Sequence, residues 1–247
     1  MARRIAYRYN SLVYKKRNMF KIIRLKSVII VLLVVVAVLC SVGVVAVVES
    51  KSVPKHKYTI VIDAGHGGLD GGCTGVTTNV TESELNLAVA MKLGEYLKNM
   101  GMNIVYTRTG NGALVSDGKN FKVRDMEERA KIISKTKPDM VISIHMNSFV
   151  AKEEDGAQIY YQQGDVKSKR LADSIQNQIK KSLPNGRDFA NHGDYYILKV
   201  SDAPTVIAEC GYLTNPAEEA KLIDPEYQKQ VAYTLMCGIV EYLGVVG

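Results

Sequence analysis

Three hydrophobic runs in this 247-residue chain each lead to a side chain able to bind a metal or move a proton. Thr59-Ile60-Val61-Ile62 leads into Asp63-Ala64-Gly65-His66, Val141-Ile142-Ser143-Ile144 into His145, and Thr205-Val206-Ile207-Ala208 into Glu209. Imidazoles and carboxylates are the donors of catalytic zinc sites, where three protein ligands leave a fourth position open and two histidines with one glutamate form a standard set. His66 and His145 are the candidate histidines. Glu82, in the first turn of the next predicted helix, is the candidate acid, and by spacing alone Glu84 serves equally well. Either glutamate is also what a helix N-terminus favours electrostatically. The pattern is that of a zinc hydrolase.

The elements that must bring these residues together are those of an α/β protein. Continuous apolar runs read as buried parallel strands, and ligands of open α/β sheets sit just beyond the carboxyl ends of the strands. Between Gly65 and Gly75 there are six glycines, as suits a loop passing close to a ligand. Leu85, Val89, Leu93 and Leu97 recur at helical spacing from Glu82 to Met100, with Gly101 just past the end. Strands are expected at 103–107, 158–161 and 195–200, and helices at 123–136, 166–183, 216–223 and 226–243. The alternation predicts a three-layer α/β/α domain around a mixed, mostly parallel sheet of about six strands.

The net charge of +7 misleads about partners. Nine Lys and Arg and a single acid fall in residues 1–50, leaving 23 basic and 24 acidic residues in the remainder, so no basic face argues for nucleic acid. Residues 27–48 contain no charge and are mostly Val, Leu and Ile, close to the roughly 20 needed for a transmembrane helix. With the basic flank on the N-terminal side, the positive-inside rule makes 1–26 cytoplasmic, 27–48 a membrane anchor, 49–57 a linker and 58–247 an extracytoplasmic domain. A cleaved signal peptide is the alternative, but its apolar region is only about 7–15 residues long. Three cysteines follow the anchor, an odd number that argues against a disulfide scaffold, although Cys73 and Cys210 lie near proposed site loops and could pair.

Four segments taken together resemble a known family: Asp63-Ala64-Gly65-His66-Gly67-Gly68, Glu82-Ser83-Glu84-Leu85-Asn86-Leu87, Ser143-Ile144-His145-Met146-Asn147 and Glu209-Cys210-Gly211-Tyr212-Leu213-Thr214-Asn215-Pro216. In this order they are similar to the zinc-dependent N-acetylmuramoyl-L-alanine amidases of the amidase 3 type. The resemblance spans about Tyr58 to Leu243 and includes Thr107-Arg108 and Arg129. It implies one zinc ion held by His66, Glu82 and His145, selecting Glu82 over Glu84, with Glu209 as the catalytic carboxylate. The implied substrate is peptidoglycan, cut between the lactyl group of muramic acid and the L-alanine of the stem peptide. Ala64 stands where the family often has proline and Tyr212 where it often has phenylalanine; neither change removes a chemical group.

One anchor followed directly by such a domain is similar to the germination-specific spore-cortex amidases, in which stem removal prepares muramic δ-lactam. That likeness places the domain on the wall side or in the forespore intermembrane space. Some relatives carry an inserted helix after the second histidine that plugs the site. Ser148 to Gly156 is too short for one, which points to control by expression, tethering, or an activating or metal-loading protein partner. The competing expectations are a vegetative cell-separation autolysin, another zinc hydrolase such as a peptidase or deacetylase, and a non-catalytic wall-binding protein. Arg129, Asn147 and His192 are polar groups outside the expected catalytic set.

Overall fold

The structure, a computed structural model, describes residues 30, 32–36 and 58–244. The chain divides into two units, Met1–Val53 and Pro54–Gly247. In the first, the described residues are helical with exposed side chains. Most of the expected anchor over 27–48, the basic segment 1–26 and the linker 49–57 lie outside the described residues. Among those described, no helix is long and apolar enough to cross a membrane.

The second unit is an α/β fold. Its elements are β1 (Thr59–Ala64), α1 (Glu82–Asn99), β2 (Asn103–Tyr106), α2 (Phe121–Thr136), β3 (Met140–Asn147), β4 (Gln158–Tyr161), α3 (Val166–Ser182), β5 (Asn191–His192), a 3₁₀ turn (Tyr196–Lys199), β6 (Thr205–Tyr212), α4 (Pro216–Leu222) and α5 (Pro225–Leu243). Six strands form one mixed sheet in the order β2-β1-β3-β6-β4-β5. β2, β1, β3 and β6 run parallel, β4 is antiparallel to β6, and β5 pairs parallel with β4.

The two-residue alternation of a strand divides this sheet into unequal faces. Ile60 and Ile62, Ile142 and Ile144, and Val206 and Ala208 pack with Leu85, Val89 and Leu93 of α1, Leu171 and Ile175 of α3, and Val231 and Leu235 of α5. Val61, Val141 and Ile207 point to the other face, into a smaller cluster with Ile133 of α2 and Ile197 and Leu198 of the 3₁₀ turn. Asp63, Ser143, His145 and Glu209 follow these residues at steps of two, so they emerge on the thinly covered face. The sheet thus combines a thick core behind with a shallow cleft in front.

The expected strand at 195–200 is corrected. Tyr196–Lys199 is a 3₁₀ turn, and the neighbouring sheet position is filled by the short strand Asn191–His192. Ile197 and Leu198 are buried side by side, which an alternating strand does not allow but a tight helical turn does. Two strands also outrun their expected ends: β3 continues to Asn147 and β6 to Tyr212, where those two residues pair.

Candidate active site

Sheet register makes the site. His145 on β3 and Glu209 on β6 are cross-strand partners, and the register shifts immediately afterwards, between His145 and Asn147. β1 ends beside β3, with Asp63 opposite Ser143 and Ala64 opposite Ile144, and the chain then turns into the glycine loop that presents His66. Glu82 arrives from the first turn of α1 on the far side of that loop. The Glu82 Oε1 atom lies 2.9 Å from His145 Nδ1 and 3.2 Å from His66 Nε2. One ligand atom from each of His66, Glu82 and His145 falls within 4.8 Å of the other two, forming a possible metal site.

Glu84, equivalent to Glu82 by spacing, is exposed and turned away. Its carboxylate accepts the backbone N–H of Thr81 at 3.1 Å, closing the helix start. Two glycines of the loop are there for space. A Cβ on Gly65 would overlap the His145 ring, and one on Gly72, whose φ is +71°, would overlap Glu82.

His66 has φ of +60°, costly for a side chain with a Cβ, and its surroundings hold it there. Arg129, fully buried on α2, donates to the carbonyls of Ala64 at 2.7 Å and His66 at 2.5 Å. Arg108 donates to Ala64 O, Gly65 O and Ser83 O at 2.8–2.9 Å, tying the loop to the start of α1. Asp63 anchors the arrangement: Oδ1 accepts from Thr107 and Arg129 at 2.7 Å each, and Oδ2 from Ser143 at 2.6 Å. Burial works to raise the Asp63 pKa, but Arg129, Ser143 and Thr107 more than offset it and leave the carboxyl below its ordinary value.

Sequence reasoning missed two supporting residues. Asp70 Oδ2 accepts from His66 Nδ1 at 2.8 Å, which leaves Nε2 to face Glu82, the arrangement by which a carboxylate orients a metal-binding imidazole. Asn86 donates to Glu82 Oε1 at 3.2 Å and to Gly65 O at 3.1 Å. It stands four residues after Glu82 on the same helix face, a spacing that could have revealed it. Arg129, left outside the expected set, is a backbone-positioning residue. His192 is exposed on β5. Cys73 and Cys210 are both free thiols, so the possible disulfide between them is absent.

The electrostatics separate two carboxylates. Burial raises the Glu82 pKa, but the hydrogen bonds and charges of His145 and His66 overcome this and hold Glu82 far below the usual range. His66 responds in the opposite sense: burial lowers it, while Glu82 and then Asp70 lift it to about 8. Glu209 has no such partner. Its Oε2 is sealed from solvent without a hydrogen bond among the described residues. Burial pushes Glu209 up to about 7, with His145 and His66 opposing and Glu82 adding to the rise.

Residues 60–241 match the N-acetylmuramoyl-L-alanine amidase family. The chain belongs to that family. This amidase is 32% identical over 197 residues to the germination-specific N-acetylmuramoyl-L-alanine amidase of Bacillus subtilis, an alignment covering 77% of this chain and 82% of that protein. Its fold is similar to the CwlD amidase of Clostridioides difficile, solved in complex with the GerS lipoprotein, with a TM-score of 0.73 and 32% identity over 77% of this chain and all of that one. It is also similar to the catalytic domain of CwlV, the amidase of Bacillus (Paenibacillus) polymyxa, with a TM-score of 0.68 and 31% identity over 76% and 99% of the two chains. The enzyme is accordingly an N-acetylmuramoyl-L-alanine amidase that acts on peptidoglycan.

Proposed function

We propose that this amidase is a zinc enzyme in which His66, Glu82 and His145 are the ligands and Glu209 is the proton-transferring carboxylate. The donor set fits the metal: two imidazoles and one carboxylate within 4.8 Å, with one imidazole already oriented by Asp70. Zinc held there supplies Lewis acidity, making water a stronger nucleophile near neutral pH and polarising the scissile carbonyl. The observation that carries the assignment is the pairing of Glu209 with His145 across β3 and β6, with Glu209 Oε2 buried and without a hydrogen bond among the described residues. Glu82 is engaged by both histidines and has no capacity to spare for proton transfer. Glu209 takes up at Oε2 a proton from the water that attacks the amide carbon, and passes it to the L-alanine nitrogen as the C–N bond breaks.

The biological setting we propose is the spore cortex, where stem removal precedes muramic δ-lactam formation, with the chain anchored through residues 27–48 and the domain outside the cytoplasm. The likeness to a germination-specific amidase supports this setting. Residues 148–157, between β3 and β4, contain no helix that could plug the site. A protein partner that assists activity or metal loading fits that open site, and the related amidase solved with a lipoprotein suggests the kind of partner.

The test is zinc content and product analysis for the full chain and its Glu209→Ala variant on purified peptidoglycan. About one zinc per chain, with glutamate-dependent release of intact stem peptides bearing free L-alanine amino groups, is the expected result. Metal-free enzyme with full activity would overturn the zinc reading. Undiminished activity in the variant would remove Glu209 from its role. Full activity with zinc alone would count against a required activator, and spores of a deletion strain with normal muramic δ-lactam would count against the cortex setting.

A further inference from the structure

The cleft holding His66 and His145 is small, about 200 Å³. It does not end at the ligands. Lys122 and Met126 line both this cleft and a neighbouring groove of about 360 Å³, which Val123, Glu127 and Tyr196 complete. The groove runs between the start of α2 and the 3₁₀ turn. Val123 and Tyr196 are more than half exposed and line the same groove. A ligand spanning cleft and groove would meet one cation at their junction, Lys122.

Lys122 is 73% exposed, and its Nζ lies 2.8 Å from Asp70 Oδ1, while the other oxygen of Asp70 holds His66 Nδ1 at 2.8 Å. The two contacts meet on a single carboxylate, so the ammonium lies within about 8 Å of His66 Nδ1, the ring nitrogen turned away from Glu82, a span that two to three extended residues cover. An ammonium has three N–H donors, and Asp70 occupies one. The opposite side of Glu209 has different chemistry. Gln158 is its cross-strand partner on β4, the Tyr160 hydroxyl donates to Gln158 Oε1 at 3.1 Å, and Tyr195 packs edge-on to Tyr160 with ring centroids 5.8 Å apart. Hydroxyl and amide groups on aromatic walls suit a sugar; an apolar groove with one cation at its mouth suits a peptide bearing a carboxylate.

We propose that the groove between α2 and the 3₁₀ turn is the stem-peptide subsite, with Lys122 binding a free carboxylate on the second stem residue. The proposal rests on the amidase reading and adds a specificity-determining residue to it. Val123, Met126 and Tyr196 cover the apolar parts of the stem. Methionine adapts to irregular ligands, and Glu127 repels a second anion farther along while accepting a cationic side chain. Stems whose second residue is amidated lose the charged contact and bind more weakly.

The test compares disaccharide-peptide fragments of peptidoglycan that carry either a free or an amidated α-carboxyl on the second stem residue, using the full chain, Lys122→Ala and Lys122→Arg. The native enzyme is expected to favour the free carboxyl by roughly 10- to 100-fold in kcat/KM, chiefly through KM, the size of one charged hydrogen bond. Lys122→Ala should lose that preference by slowing only on the free-carboxyl substrate, with zinc content unchanged, and Lys122→Arg should retain most of it. Equal losses by Lys122→Ala on both substrates, with or without loss of zinc, would mean that Lys122 acts only through Asp70 and His66, and would overturn the subsite. A native enzyme that cuts both forms equally well would overturn it too. One that, loaded with zinc and supplied with cell-envelope extract as a source of the proposed partner, releases peptide from neither form would fail the amidase reading itself, and the subsite with it.

Discussion

The floor of the cleft and its rim are built on opposite principles. On the floor, Asp63, Arg129, Arg108, Asn86 and Glu82 are buried and bonded to one another or to the carbonyls of residues 64–66. On the rim, Lys122, Val123 and Tyr196 are largely exposed, and among the described residues the only ion pair Lys122 makes is one with Asp70. Bond-making geometry is thus fixed by groups that cannot move independently, while substrate choice falls to side chains that can change at little cost to the fold. Substitutions on the floor should alter chemistry or stability, and substitutions on the rim should alter only selectivity.

The largest effect expected is on Glu209→Gln. It removes the carboxylate that accepts and returns the proton while keeping shape, so kcat should fall by roughly 10²- to 10⁴-fold, with metal content and thermal stability near native. A comparable loss accompanied by release of the metal would place Glu209 among the ligands. Arg129→Met is next. It leaves Asp63 buried without its cation and is expected to cost about 3–5 kcal/mol, read as a shift of the urea midpoint. A change below about 1 kcal/mol would show that the floor is less tightly determined than its hydrogen bonds imply.

Asp70→Asn tests the join between the two regions. Its neutral amide no longer enforces the His66 orientation, and zinc affinity should drop by roughly 10- to 100-fold in a competition with a chromogenic chelator. Unaltered affinity would detach Asp70 from the metal site. The Asp63 carboxyl gives a pH dependence. Its folded pKa lies below the unfolded value, so its stabilising contribution is complete above the unfolded pKa of about 3.9 and is lost as pH falls through the folded one. In Asp63→Asn this part of the acid-side slope of melting temperature should disappear; an identical slope would contradict the assignment. The smallest effect belongs to the rim: Val123→Ser should change stability by no more than about 0.5 kcal/mol.

The same division explains what could be read from the chain alone. His66, His145 and Glu209 follow apolar runs that read as strands, so their convergence on one crevice could be inferred, although spacing alone did not require it; the neighbouring of β1, β3 and β6 came from the structure. The choice between Glu82 and Glu84 was not, because local spacing says nothing about which face of the first turn meets the glycine loop. The family likeness supplied what periodicity lacked. Asp70 was hidden among glycines, where no period exists to mark a side chain's direction. The 195–200 segment misled for a related reason: Tyr-Tyr-Ile-Leu-Lys-Val has the composition of a strand, yet two adjacent residues had to be buried together under α2. β1, β3 and β6 are continuous apolar runs whose pattern does not mark a face, and it is the register between them that puts Asp63, Ser143, His145 and Glu209 on one side of the sheet.

The β3–β6 pairing has an implication for how such an enzyme can diversify. Neighbouring strands stand about 4.8 Å apart whatever side chains they carry, so the backbone itself serves as a ruler between His145 and Glu209, the proposed metal ligand and the proposed proton carrier. No loop insertion, rim substitution or new partner can stretch that interval without breaking the ladder. A lineage is therefore free to rebuild everything its substrate touches on the way in, while the interval over which the bond is broken is inherited unaltered.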